Sequence, residues 1–381
     1  MSFRRIAISL IAAFGVYVAY AQEHGILVSG RDTIGYAYTP MAQLPRKQNF
    51  WHKVQNYFEQ SAVDKTATKK FDVSVVGAPT YSSTTGLGLG VVVAGLYRID
   101  RANMQVPPST VSVFARATLK GVYNVGVEGI NIFKDNRDRL SYRLTFTSLP
   151  SNFWGLGYDA AVNNTPVNYT SNRQQVELSY YHRLCRNLYI GARANFDYIY
   201  ASRGDRELIA PLIGSAKSEA LSTGFSLLLE YDSRDFIPNP HRGVYLSAQG
   251  MFRPKGLSNI ESDSWKIVGT ASYYQKVWRG SVLALDLYLE SNSSGTPWQL
   301  YAHMGSKYRM RGYYEGRFTD RNMVTAQVEL RQNVWRRLGV AVWGGAGNCF
   351  SSWNSYQWSH TLPNYGIGVR WEFKKSESLL L

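Results

Sequence analysis

From residue 71 onward the chain alternates apolar and polar positions with a period of two, the signature of β-strands with two unlike faces. RLSYRLTFTS sets Leu140, Tyr142, Leu144 and Phe146 against Ser141, Arg143, Thr145 and Thr147. NLYIGARANFDYIY sets Leu188, Ile190, Ala192, Ala194, Phe196 and Tyr198 against Tyr189, Arg193, Asn195 and Asp197. VLALDLYLE sets its leucines against Asp286 and Glu290, and VTAQVELRQNV sets Val324, Ala326, Val328 and Leu330 against Thr325, Gln327, Glu329 and Arg331. Strands are predicted at 71–82, 86–99, 109–120, 122–134, 138–149, 172–185, 187–200, 221–233, 243–253, 264–278, 281–291, 298–309, 322–335, 338–350 and 363–374. Such runs exceed the ~5–6 residues usual in soluble sheets. They match the ~9–11 residues that a tilted strand needs to cross a bilayer. Residues 22–70 lack the rhythm; Phe50, Trp51, Val54, Tyr57 and Phe58 recur at helical spacing, which fits either a short amphipathic helix or a partly ordered linker.

The N-terminus changes the picture. Arg4 and Arg5 precede the apolar run Ile6–Tyr20, and Ala19-Tyr20-Ala21 fits a cleavage site, so residues 1–21 read as a secretory signal peptide. No later run is long and apolar enough for a spanning helix, and mean hydropathy is −0.26. Aromatic residues nevertheless make up 14% of the chain, with 27 Tyr and 10 Trp. Export, abundant aromatics and charged strand faces fit a transmembrane barrel whose apolar face meets lipid and whose polar face lines the lumen. The alternative is a secreted soluble β protein, which would bury its apolar face and leave shorter strands. The expected fold is therefore all-β: a transmembrane antiparallel β-barrel of about 14–16 strands.

The net charge of +15 points to anionic lipid headgroups or a basic lumen, since nucleic acid is no partner for an exported chain. Candidate chemistry is sparse. The six histidines show no metal-ligand spacing. Ser359-His360 has no orienting partner in view. GLGLG at 86–90 precedes no helix and is not a dinucleotide fingerprint. No catalytic, cofactor or metal site is expected, and Cys185 and Cys349 do not make a disulfide framework. In EYDSRDFIPNPHRGVYL, Asp232, Arg234, Asp235, Pro240 and Gly243 mark a hairpin turn with charges at its base.

Several motifs in order resemble the BamA/TamA outer-membrane assembly family, also called the bacterial surface antigen family. GAPTYSSTTGLGLGVVV is similar to its first hairpin, and FWGLG at 153–157 to its aromatic-Gly-x-Gly segment. YDSRDFIPNPHRG resembles its D-x-R-[DN]…P…G turn. MRGYYEGRFTDRNMVTAQVELR resembles its V-R-G-[FY] loop and the E-x-R strand after it, and YGIGVRWEF its G-x-G-x-R-[FW] strand. The resemblance spans 71–374. It implies a lumen-directed loop carrying Arg311, Gly312 and Tyr313, whose arginine meets inward acids. The alternation independently turns Glu329 inward, so Arg311–Glu329 is the expected pair.

The chain departs from the family pattern in three places. Gly345, in Trp343-Gly344-Gly345-Ala346-Gly347, stands where the family's aromatic-x-D-x-G strand has aspartate. The family barrel has about sixteen strands, whereas this chain ends KKSESLLL soon after its last predicted strand. Residues 22–70 are too few for a POTRA domain, so a member without that module is expected. The organisation expected is a signal peptide (1–21), a periplasmic linker (22–70), a barrel (71–374) and a C-terminal tail (375–381). The resemblance implies a Gram-negative outer-membrane protein, not an enzyme, that acts in insertion, assembly or translocation of proteins. Its expected partners are outer-membrane lipid, lipopolysaccharide and other outer-membrane or periplasmic proteins. A passive pore or structural barrel is the alternative.

Overall fold

The computed structural model describes Thr66 and residues 69–380, apart from 83–85, 102, 104–105, 215, 236–238, 306–308, 336–337 and 375–376. The signal-peptide and amphipathic-helix expectations lie outside these residues. In chain order the strands are β1 (Phe71–Ser82), β2 (Gly86–Tyr97), β3 (Ser109–Thr118), β4 (Tyr123–Ile132), β5 (Asp138–Phe153), β6 (Val167–Cys185), β7 (Leu188–Ala201), β8 (Glu219–Asp232), β9 (Gly243–Arg253), β10 (Ser264–Lys276), β11 (Ser281–Asn292), β12 (Ala302–His303), β13 (Thr319–Asp320), β14 (Asn322–Trp335), β15 (Leu338–Phe350), β16 (Leu362–Lys374) and β17 (Glu377–Leu380). All but β12 and β13 form one sheet of 15 strands in sequential order, every neighbouring pair antiparallel. Among the described residues no ladder joins β1 to β16 or β17, so the sheet is not closed.

The two faces sort as the sequence pattern predicts. Leu144, Phe146, Leu178, Leu227, Leu287, Val328 and Ile367 stand exposed on the outer face. Glu128, Asn195, Asp197, Ser226, Glu290, Thr325 and Glu329 are buried on the inner face. A soluble sheet would show the reverse, so this is the wall of a transmembrane β-barrel. Trp265 is exposed at one rim, and Trp278 and Trp335 at the other, where membrane barrels carry their aromatic girdles. Long segments join the strands at one end (154–166, 202–218, 254–263, 293–321 and 351–361). At the other end several joins are short, at 186–187, 277–280 and 336–337.

The expected strand 298–309 is not in the wall. Trp298–Leu300 forms a 3-10 turn, and β12 pairs only with β13 in a separate two-stranded ladder. The apolar alternation there is real: Trp298, Leu300, Ala302 and Met304 are all buried. They face an interior core instead of lipid. Ala302, Met304, Met310, Phe318, Met323 and Cys349 cluster with Ala161 of helix α1 (Tyr158–Asn163). Trp298 joins Phe153, Ala201, and Ile209 and Ile213 of helix α2 (Arg206–Ile213) in a second cluster. The segment 293–321 is thus a loop packed inside the barrel. At the C-terminus, Glu377–Leu380 of the expected tail pairs with β16 as β17. Cys185 is exposed and Cys349 buried, and they do not pair.

Leu227 lies mid-strand in β8 and is 72% exposed on the outer face. Leu227→Arg is expected to cost about 2–4 kcal/mol if the site sits near the bilayer midplane. Reversible unfolding in lipid vesicles measures this. A loss below about 0.5 kcal/mol would place the residue away from lipid.

Candidate functional site

The loop tip docks on β14 and β15. Arg311 donates from Nη2 to Glu329 Oε2 at 2.6 Å, and both side chains are nearly excluded from solvent. The Arg311 guanidinium also lies 3.7 Å from the ring centre of Trp343, a cation–π stack. Glu329 and Trp343 are direct partners in the β14–β15 ladder, which places carboxylate and ring side by side on the inner face. The other Glu329 oxygen accepts from Arg331 Nε at 2.8 Å and Arg370 Nη1 at 3.5 Å. One carboxylate therefore gathers three guanidinium groups from the loop, β14 and β16.

The glycines of WGGAG make this dock fit. A Cβ on Gly347 would lie 2.8 Å from the Met310 sulfur, so a bare backbone is what admits the residue before Arg311. A Cβ on Gly345 would lie 2.5 Å from Ala326 O and 2.7 Å from Asn364 Oδ1. Asn364 of β16 lies against the bare backbone of Gly345, and its Nδ2 reaches Gln327 Oε1 at 3.4 Å. Arg311 Nε is buried and has no hydrogen-bond partner among the described residues. The arginine is held by one carboxylate and one ring, with no second acid from position 345.

The neighbouring loop residues add anchors. Gly312 takes φ +103, a left-handed conformation that suits glycine. Tyr313 donates its hydroxyl to Pro363 O at 2.7 Å and packs edge-on to Phe318. Arg309 binds Asp286 through Nε at 2.6 Å and Nη2 at 3.1 Å, and stacks on Tyr288. Tyr314 accepts from the Asn152 amide at 3.3 Å and meets Trp154 edge-on. Trp343, Arg309, Asp286, Arg331 and Arg370 were not singled out from sequence as partners. Asp286, Arg331 and Arg370 already fell on inward faces by alternation, and that was the available signal.

The β8–β9 turn is a second built feature, at the short-turn end. Arg234 grips Asp232 with Nε at 2.9 Å and Nη2 at 2.7 Å, and lies over the Tyr245 ring. Asp235 Oδ1 accepts the amides of His241 at 2.8 Å and Arg242 at 3.1 Å. Gly243 has φ +116, and a Cβ there would lie 2.5 Å from Ser233 O, so the turn can close only on glycine. Pro240 is buried in the same turn. Asn239 is buried and its Oδ1 accepts from Arg370 Nη2 at 3.1 Å. Burial lowers the affinity of His241 for a proton, Asp235 opposes this, and Lys276, Arg331 and Arg370 lower it further. The turn therefore lies in the field of basic residues of β10, β14 and β16, and it touches Arg370 of β16 directly.

Two predictions follow from this charge arrangement. Glu329→Ala removes the shared acceptor of three guanidinium groups and is expected to cost about 3–5 kcal/mol. Arg311→Ala leaves Glu329 with two partners and is expected to cost less, about 1.5–3 kcal/mol. Unfolding in detergent, read by heat-dependent gel mobility, ranks the pair; equal losses would remove Glu329 from the centre. Secondly, a folded-state proton affinity below the unfolded value stabilises the docked turn above about pH 6.5, and that contribution is lost as pH falls. A spin label at position 242 should gain mobility on acidification, and His241→Gln should flatten the profile. An unchanged profile in His241→Gln would assign the response to another group.

Comparison with known proteins places this arrangement. The Omp85 superfamily domain matches residues 124–373. The fold resembles BamA from Haemophilus ducreyi lacking POTRA domains 1–3, with a TM-score of 0.58 and 12% identity over 82% of this chain and 65% of that one. It also resembles CdiB from Acinetobacter baumannii, with a TM-score of 0.52 and 13% identity over 82% of this chain and 55% of that one. CdiB from Escherichia coli gives 0.53 and 13% over 79% and 56%. The chain thus spans between 55% and 65% of the length of these structures. No curated protein matches it. The family domain covers the wall from β4 to β16, including the docked loop and Glu329, and on that match the chain belongs to the Omp85 superfamily.

Proposed function

We propose that this barrel works at the outer membrane in inserting, assembling or translocating proteins, without enzyme chemistry. The observation that carries the reading is the loop 293–321, packed inside the barrel and pinned by Arg311 to Glu329 and Trp343. A passive pore gains nothing from filling its lumen with two apolar clusters and a charge lock. A barrel that must stay closed until a client engages it does. Among the described residues no ladder joins β1 to the β16–β17 edge, and an open sheet edge is where a client strand would add. On this reading the lock holds the resting barrel and the short-turn end faces the periplasm. Its partners are outer-membrane lipid, lipopolysaccharide, and the proteins that deliver or receive the client.

Quantitative proteomics of the outer membrane after depletion of this protein tests the proposal. The expected result is loss of a defined set of other barrels or surface proteins, restored by the wild-type chain and restored less well by Arg311→Ala. An unchanged proteome, together with a steady open conductance of the purified barrel in a planar bilayer, would overturn it and favour a passive barrel.

A further inference from the structure

The lumen loop enters from the long-loop end and the β8–β9 turn lies at the short-turn end; the loop meets the Glu329 carboxylate directly, and the turn is joined to it through Arg370. Arg311 of the loop holds Glu329 Oε2 at 2.6 Å. Arg370 reaches Glu329 Oε1 at 3.5 Å through Nη1 and the turn's Asn239 Oδ1 at 3.1 Å through Nη2. Asn239 is separated from Arg370 by 131 positions in the chain, so the contact comes only from the turn folding inward. The base of the turn is built by polar contacts: Arg234 holds Asp232, Asp235 accepts the amides of His241 and Arg242, and Gly243 takes a backbone conformation with no room for a Cβ.

We propose that Arg370 is a positioning residue that ties the β8–β9 turn to the lumen-loop lock, so that displacing the turn from the short-turn side weakens the grip of Glu329 on Arg311. The side chain spans the two contacts with the two arms of one planar guanidinium, a role that lysine cannot fill. When the turn withdraws, Arg370 loses one acceptor that orients it, and its hold on Glu329, as one of three cations around that carboxylate, weakens. The coupling works in both directions, because linkage between two sites is reciprocal. This deepens the loop-lock reading given above and rests on it. It supplies a way for an event on one side of the membrane to be felt by a loop that originates on the other.

Hydrogen exchange on the full barrel in lipid vesicles tests the tie, comparing wild type with Asn239→Ala, Arg370→Lys, Arg370→Met and Arg311→Ala. Asn239 reaches the lock through Arg370, and Asn239→Ala is expected to speed exchange of the amides of 310–321 on the order of tenfold, as coupled neighbours do. Arg370→Lys should act in the same direction, and Arg311→Ala should speed exchange at 239–245. Heat-dependent gel mobility confirms that each variant is folded, and Asn239→Ala carries the test if Arg370→Met does not assemble. Faster exchange in the turn with unchanged exchange in the loop, in both Asn239→Ala and Arg370→Lys, would overturn the proposal. The readout is independent of client assembly, so loss of the tie and loss of the assembly role would be seen separately.

Discussion

In a bilayer each strand must satisfy its backbone N–H and C=O groups on its neighbours, because lipid offers no acceptor or donor. That constraint fixes the long antiparallel ladders, and the pleat then sends every second side chain inward. Apolar residues take the lipid side and the polar ones are left lining an enclosed space. An inward carboxylate such as Glu329 sits far from bulk water and is stable there only with cations around it. Arg331 and Arg370 come from the wall itself, and Arg311 comes from the loop. The arrangement that keeps the wall in the membrane therefore also creates the charge to which the loop is tied.

Small residues decide where the loop rests. The wall presents bare backbone at Gly345, Gly347 and Gly366. These positions admit the Asn364 amide, the Met310 side chain and the Trp343 ring respectively. The lock is thus as much a matter of shape as of charge. At Gly345 the wall offers packing by Asn364 and no charge, and Arg311 is tied to Glu329 at 2.6 Å.

Most of the wall was legible in the chain because period-two alternation runs through most of its strands. Alternation tells which residues share a face, but it does not tell what lies opposite that face. Trp298, Ala302 and Met304 alternate as a lipid-facing strand would, and they serve interior clusters instead. The ends of β5 and β6 were also missed. Residues 150–153 and 167–171 are polar enough to stop a membrane strand, yet they continue the ladder past it. Arg311 and Glu329 could be matched from a motif and an inward face. Arg370 could be placed on the inner face but not joined to Asn239, since that requires both the register of β16 and the inward fold of a distant turn. Trp343 was visible as an aromatic at the start of WGGAG. Its stacking on Arg311 depends on the β14–β15 register, which no local pattern encodes.

The described residues form fifteen strands in the sheet, an odd number, and parity has a consequence for its open edges. Successive antiparallel strands reverse direction, so β1 and β17 point the same way while β16 points against both. A barrel closed through β17 would need a parallel ladder at the joint. One closed through β16 keeps every ladder antiparallel, but along Arg370–Lys374 the edge that β1 would use is already taken by Glu377–Leu380. The final hairpin and the first strand are rivals for the same few hydrogen-bonding groups, and whichever occupies them sets how far the wall can be zipped shut.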